Sequence, residues 1–129
     1  MNILLAEDDK NLGFILKHEL EGDGYYVDLV HDGVEAVLRF LDVDYDVLLF
    51  DIRMPRLDGI TALRIIKRMK SDVFAVIFSG HAGPDDREAA VRAGAAACLE
   101  KPFEIAAVRQ YLKSISTFAP SMQLAQSTG

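Results

Sequence analysis

The sequence predicts an α/β domain built on a doubly wound, five-stranded parallel sheet. Five short apolar runs alternate with segments of helical periodicity. Four of the runs are nearly continuous rather than alternating, as strands covered on both faces are. Repeated strand-helix alternation implies right-handed crossovers, which place helices on both sides of the sheet.

The first run, Ile3 to Ala6, reads as a strand, and Leu12, Ile15, Leu16 and Leu20 give the helix after it an apolar stripe. Asp9 stands where that helix needs a cap. The second run, Tyr25 to Val30, contains Asp28, and a charge inside a strand suits a position near the sheet edge. Asp32 and Glu35 form a capping-box pattern ahead of a second stripe of Val34, Val37, Leu38 and Leu41. Val47 to Phe50 is the third strand, and Asp58 is placed to cap a helix carrying Ala62, Leu63, Ile66 and Met69. Val73 to Phe78 is the fourth. The helix within Pro84 to Ala93 opens on a proline suited to a first turn, yet its buried face is mainly Ala89, Ala90 and Ala93, so it is expected to be the loosest element. Ala95 to Leu99 is the fifth strand, followed by a stripe of Ile105, Val108, Leu112 and Ile115. Gly22, Gly24 and Gly94 fall where helices should stop. Residues 1–117 are expected to form the domain. Residues 118–129, with Pro120 and several Ser, Gln and Thr, read as a linker or frayed end.

The chain has 129 residues, half of them apolar, enough for one compact core and too few for a second domain. A formal net charge of -6 argues against direct contact with nucleic acid or an anionic membrane, since both want a basic face. The single cysteine, Cys98, has no internal partner for a disulfide, and the N-terminus lacks the features of a secretory signal. The longest apolar run, Val73 to Phe78, falls far short of the roughly 20 residues a spanning helix needs. A cytoplasmic, soluble domain is the expectation.

In a doubly wound sheet ligands bind beyond the carboxyl ends of the strands. The residues there are Glu7, Asp8 and Asp9 after the first strand, Asp51 after the third, Ser79 and Gly80 after the fourth, and Glu100, Lys101 and Pro102 after the fifth. Carboxylates crowded together repel unless a cation lies among them, and an all-oxygen set suits magnesium. Glu7, Asp8 and Asp51 are therefore candidate Mg2+ ligands. A carboxylate oxygen can attack phosphorus to form an acyl phosphate when the oxygens of the transferring group are neutralised. Lys101 can neutralise one of them as a point charge, and the Ser79 hydroxyl can donate to another.

The run from Asp51 to Gly59 (DIRMPRLDG), with Glu7-Asp8, Ser79-Gly80 and Lys101-Pro102-Phe103, resembles the receiver domain of two-component response regulators over roughly residues 1 to 117. The resemblance implies a flavodoxin-like fold with strand order 2-1-3-4-5. It further implies phosphotransfer to Asp51 from a histidine kinase or histidine phosphotransfer protein, and a backbone carbonyl of Arg53 reaching the metal. Ser79 would be the switch hydroxyl, Lys101 the phosphate-binding lysine, and the Lys101-Pro102 bond would be cis. Arg53 and His81 would tune the lifetime of the acyl phosphate. A partner, output domain or second copy would dock on the face of the fourth helix, fifth strand and fifth helix, with Arg87, Arg92, Arg109 and Tyr111.

One departure stands out. The position three residues before the lysine usually carries a switching aromatic and here is Cys98, so activation is expected to lean on movement of the fourth helix toward Ser79. Among rivals, a turnover phosphatase or phosphotransferase would want an acid two residues after the nucleophile, where Arg53 stands. A flavodoxin-like or nucleotide-binding module would want a glycine-rich phosphate loop, and none is present. A receiver-shaped adaptor that works without phosphorylation is disfavoured by the retained acids, hydroxyl and lysine.

Overall fold

The computed structural model describes residues 1–80 and 83–115, so the expectations placed on His81 and on residues 118–129 lie outside it. The elements run β1 (Asn2–Ala6), α1 (Lys10–Gly22), β2 (Tyr26–Val30), α2 (Gly33–Asp42), β3 (Val47–Asp51), α3 (Gly59–Met69), β4 (Phe74–Ser79), α4 (Pro84–Arg92) and β5 (Ala97–Glu100), followed by helix α5 over 105–115. The strands form one parallel sheet in the order β2-β1-β3-β4-β5, as expected, with β2 at an edge. Strands β3, β4 and β5 each run one residue beyond the apolar run that signalled them. Their ladder continues through Asp51 opposite Phe78 and Ser79 opposite Glu100, which hydrophobicity alone does not report.

Because strand side chains alternate between faces, each buried strand serves two cores. Leu4, Leu48, Phe50 and Ile77 pack with Ala36, Leu63, Ile66 and Ala90 on the side of α2, α3 and α4. Ile3, Leu5, Leu49 and Phe78 pack with Leu16, Leu20, Val108 and Leu112 on the side of α1 and α5. This division explains why β1, β3 and β4 read as unbroken apolar runs.

Caps fix the helix starts. Asp9 Oδ1 accepts from the amides of Asn11 and Leu12, and Asp58 accepts from the Thr61 amide at 2.9 Å and its hydroxyl at 2.7 Å. Asp32 Oδ1 accepts from the Glu35 amide at 2.8 Å, while Glu35 returns the bond to His31, one residue before the cap. Helix α4 has Pro84 in its first turn, no side-chain cap, and Ala90 as its one buried residue, which agrees with the weak signal in the sequence.

Rotation of the helices differs from the expected stripes. Ile15, Leu38, Leu41 and Met69, assigned to buried faces, are exposed. Helix α1 meets the sheet through Gly13, Leu16 and Leu20, and a Cβ at Gly13 would stand 2.9 Å from Leu29 Cδ1. Helix α2 is turned by its N-terminus. Gly33 lies so close to the carbonyl of Leu57 that a Cβ would reach within 2.1 Å of it, and this places Ala36 and Phe40 against the sheet. A close backbone approach, not the number of apolar residues on a stripe, decides which face is buried.

Asp28, the charge within β2, finds its partner in Tyr45, whose fully buried hydroxyl donates to Asp28 Oδ2. Burial, with the Asp28 carboxylate beside it, pushes that hydroxyl above its ordinary range, so it stays a donor. Among the described residues no helix is long and apolar enough to cross a membrane.

Candidate functional site

The carboxyl rim of the sheet brings the predicted residues together. Glu7 continues β1, its amide bonded to Val30 O at 3.0 Å, and its side chain has no exposed surface. Asp51 ends β3 at 5% exposure, and Asp8 lies outermost, in solvent. One oxygen from each of Glu7, Asp8 and Asp51 lies within 4.8 Å of the others. Asp9 turns away to cap α1, as its place before the helix predicts.

Lys101 reaches into this cluster from the loop after β5. Its ammonium is 3.0 Å from Asp51 Oδ2, as a hydrogen bond, and 2.6 Å from Glu7 Oε1. The second contact sets the ammonium against a fully buried carboxyl. The loop is held at its base, where the Lys101 amide donates to Ser79 O at 2.7 Å, and at its far side, where Phe103 stacks on Phe78 with centroids 4.5 Å apart. The Lys101-Pro102 bond is cis, as expected.

The charges show the strain of this arrangement. Burial, then the neighbouring Asp51 carboxyl, push Glu7 up to about 8, against the pull of Lys101. Burial alone would lower Lys101, but Glu7 and Asp51 outweigh it and hold the ammonium above its usual value. Two buried carboxyls thus share one lysine, and the cluster still offers oxygens to a cation. The donor set is all oxygen, part buried and part open to water, which fits magnesium.

Ser79 is buried at the end of β4, between β3, which ends at Asp51, and β5, which Lys101 follows. Among the described residues, nothing lies within 4 Å of a Cβ at Gly80. Arg53 is exposed on the loop after β3. Cys98 is half-buried against the α4 side of the core, and burial raises its thiol, which agrees with a small packed side chain.

Of the residues on the expected partner face, Arg109 pairs with Glu19 at 2.9 Å and Asp23 at 2.7 Å on α1 and its C-cap. Tyr111 packs toward the α1 and α5 core. Arg87 does link α4 to β5, through Glu100 at 3.5 Å.

Two residues of the site region went unread in the sequence. Arg56, in the loop after Asp51, has φ of 66° and donates from its guanidinium to Asp32 Oδ2 at 2.7 Å. Asp32 was seen only as a cap. Burial raises its carboxyl, but Arg56 and the amides of Glu35 and Val34 outweigh this and hold it below the usual range.

A parallel sheet in the order 2-1-3-4-5, with acids and a lysine on its carboxyl rim, defines a doubly wound domain that keeps its ligand chemistry at the strand ends. The response regulator receiver domain family model matches residues 3–113, and the chain belongs to that family, the receiver domains of two-component systems. The response regulator MprA of Mycobacterium avium is 35% identical over 105 residues, covering 81% of this chain and 46% of the relative. The transcriptional regulatory protein RprY of Bacteroides fragilis is 31% identical, covering 81% of this chain and 44% of that protein. The chain therefore spans about half the length of the curated relatives it matches. Among solved structures, the Francisella response regulator 1452 receiver domain aligns with a TM-score of 0.85 at 27% identity, covering 92% of this chain and 98% of that one. The receiver domain of a sensor histidine kinase from Pseudomonas aeruginosa PAO1, with a magnesium ion coordinated in its active site cleft, aligns with a TM-score of 0.79 at 35% identity, covering 88% and 94%.

Proposed function

We propose that this domain is a phosphorylation-activated switch in which Asp51 accepts a phosphoryl group from a histidine kinase or histidine phosphotransfer protein. The observation that carries the reading is the buried cluster of Glu7 and Asp51, completed by Asp8 and spanned by Lys101. Glu7, Asp8 and Asp51, with the backbone carbonyl of Arg53, would hold Mg2+, which would supply charge neutralisation to the transferring group. An Asp51 carboxylate oxygen attacks phosphorus, the phosphorus–nitrogen bond of the phosphohistidine breaks, and its electron pair leaves with the imidazole. Lys101 then turns from the Asp51 carboxylate to the new phosphoryl oxygens, and the Ser79 hydroxyl donates to another. Arg53 and His81 tune hydrolysis. An exposed arginine two residues beyond Asp51 supplies no general acid, which favours a stored acyl phosphate over rapid turnover.

Residues 1–117 constitute the switch and 118–129 a linker, in a cytoplasmic protein whose partner or output domain reads the α4, β5 and α5 face. Acetyl phosphate with magnesium should place one phosphoryl adduct on the intact protein, absent from Asp51→Asn. Continuous phosphate release at enzyme-like rates would replace this reading with a phosphatase, and no adduct with an adaptor.

Activation passes through α4, because Cys98 offers no aromatic to swing and α4 is held by little besides Ala90, Ala93 and the Arg87 to Glu100 pair. Beryllofluoride should therefore move amide resonances across residues 80 to 95. Unchanged shifts there would remove α4 from the mechanism.

A further inference from the structure

The loop between Asp51 and α3 is built around one unusual residue. The Leu57 amide donates to Pro55 O at 2.7 Å, closing a three-residue turn with Arg56 at its centre. With φ of 66°, Arg56 has the geometry of the positive-φ γ-turn, the rare and strained form. Among the described residues it is the one non-glycine residue with positive φ. Such strain persists only where surroundings over-determine it, and it collects at sites that need a fixed geometry.

Here the surroundings are identifiable. Arg56 is tied to Asp32 Oδ2 at 2.7 Å, while Oδ1 of the same carboxylate caps α2 at the Glu35 amide. The next residue, Leu57, rests its carbonyl against Gly33, where no side chain would fit. One end of the loop is pinned by Ile52 N to Phe78 O at 3.0 Å, and the other by Gly59 N to Ile52 O at 2.7 Å. The segment between these pins contains Arg53, Met54 and Pro55. Its orientation depends on the γ-turn and on the strut to α2.

Resting on the function proposed above, we propose that Arg56 and Asp32 are positioning residues for the phosphoacceptor site: their ion pair holds the strained turn that aims the Arg53 carbonyl at the metal. Neither touches the reacting atoms. The guanidinium is half-exposed, so the pair adds little to global stability, and its effect lies in where the loop sits. Asp32 also ties the start of α2 to the acceptor loop.

The test separates position from stability. Arg56→Ala keeps the turn's strained positive φ but has no ion pair, and Asp32→Asn keeps a competent helix cap while withdrawing the charge. Magnesium chloride titrated calorimetrically should bind each variant about tenfold more weakly than wild type, the low end for loss of a group supporting metal ligands. Thermal midpoints should stay close to wild type. The double variant should be no weaker than the singles, since both remove one interaction. Wild-type magnesium affinity in either single variant overturns the inference, as does a loss matched by an equal loss of folding. If the wild-type protein itself binds no magnesium, the proposed function fails first and takes this inference with it.

Discussion

Gly59→Ala is expected to abolish phosphoryl acceptance and to destabilise the domain by about 3 kcal/mol or more, the upper range for overpacking a buried position. A Cβ at Gly59 would stand 1.9 Å from the carbonyl oxygen of Asp51 and 2.9 Å from its carbonyl carbon. Both atoms are backbone, so no rotamer change can relieve the clash. The two segments are also joined by the 2.7 Å bond from Gly59 N to Ile52 O, which draws the start of α3 onto the end of β3. Moving them apart breaks that bond and shifts Asp51. Urea unfolding gives the stability, and acetyl phosphate with intact mass gives the function. Gly22→Ala is the control, because a Cβ there meets nothing within 4 Å. A Gly59→Ala protein with a wild-type unfolding midpoint would show that the loop yields at no cost.

This expectation also shows where sequence reading stops. Glu7, Asp8, Asp51, Ser79 and Lys101 were legible because a parallel sheet delivers every strand end to one rim, so chain order and apolar runs suffice. The caps at Asp9, Asp32 and Asp58 were legible because their partners lie within three residues. Pairings across the fold left no such trace. Arg56 meets Asp32 over 24 residues, Tyr45 meets Asp28 over 17, and Arg109 meets Asp23 over 86. Periodicity located each helix but not its rotation, as Ile15 and Leu38 show, since Gly13 and Gly33 allow approaches that a count of apolar residues does not register.

The second large effect is expected at Lys101. Replaced by Met, it leaves Glu7, fully buried, and Asp51, nearly so, without their shared cation. Breaking one partner out of a buried ion pair costs about 3–5 kcal/mol, and the low end applies because the lysine is 22% exposed and water can replace part of it. Lys101→Met should therefore unfold at lower urea than wild type in the presence of a chelator. Asp51→Asn on the Lys101→Met background should recover part of the loss, because the amide removes the Asp51 charge the lysine had balanced. The coupling in that double-mutant cycle should be about 1 kcal/mol or more. Added magnesium should stabilise Lys101→Met by binding the folded state alone, yet phosphoryl acceptance should stay about a hundredfold slower, since the metal does not replace the ammonium at the transferring group. Equal urea midpoints for wild type and Lys101→Met under chelation would mean that Glu7 and Asp51 do not need the lysine. The 2.6 Å and 3.0 Å contacts instead assign the ammonium to the two carboxyls.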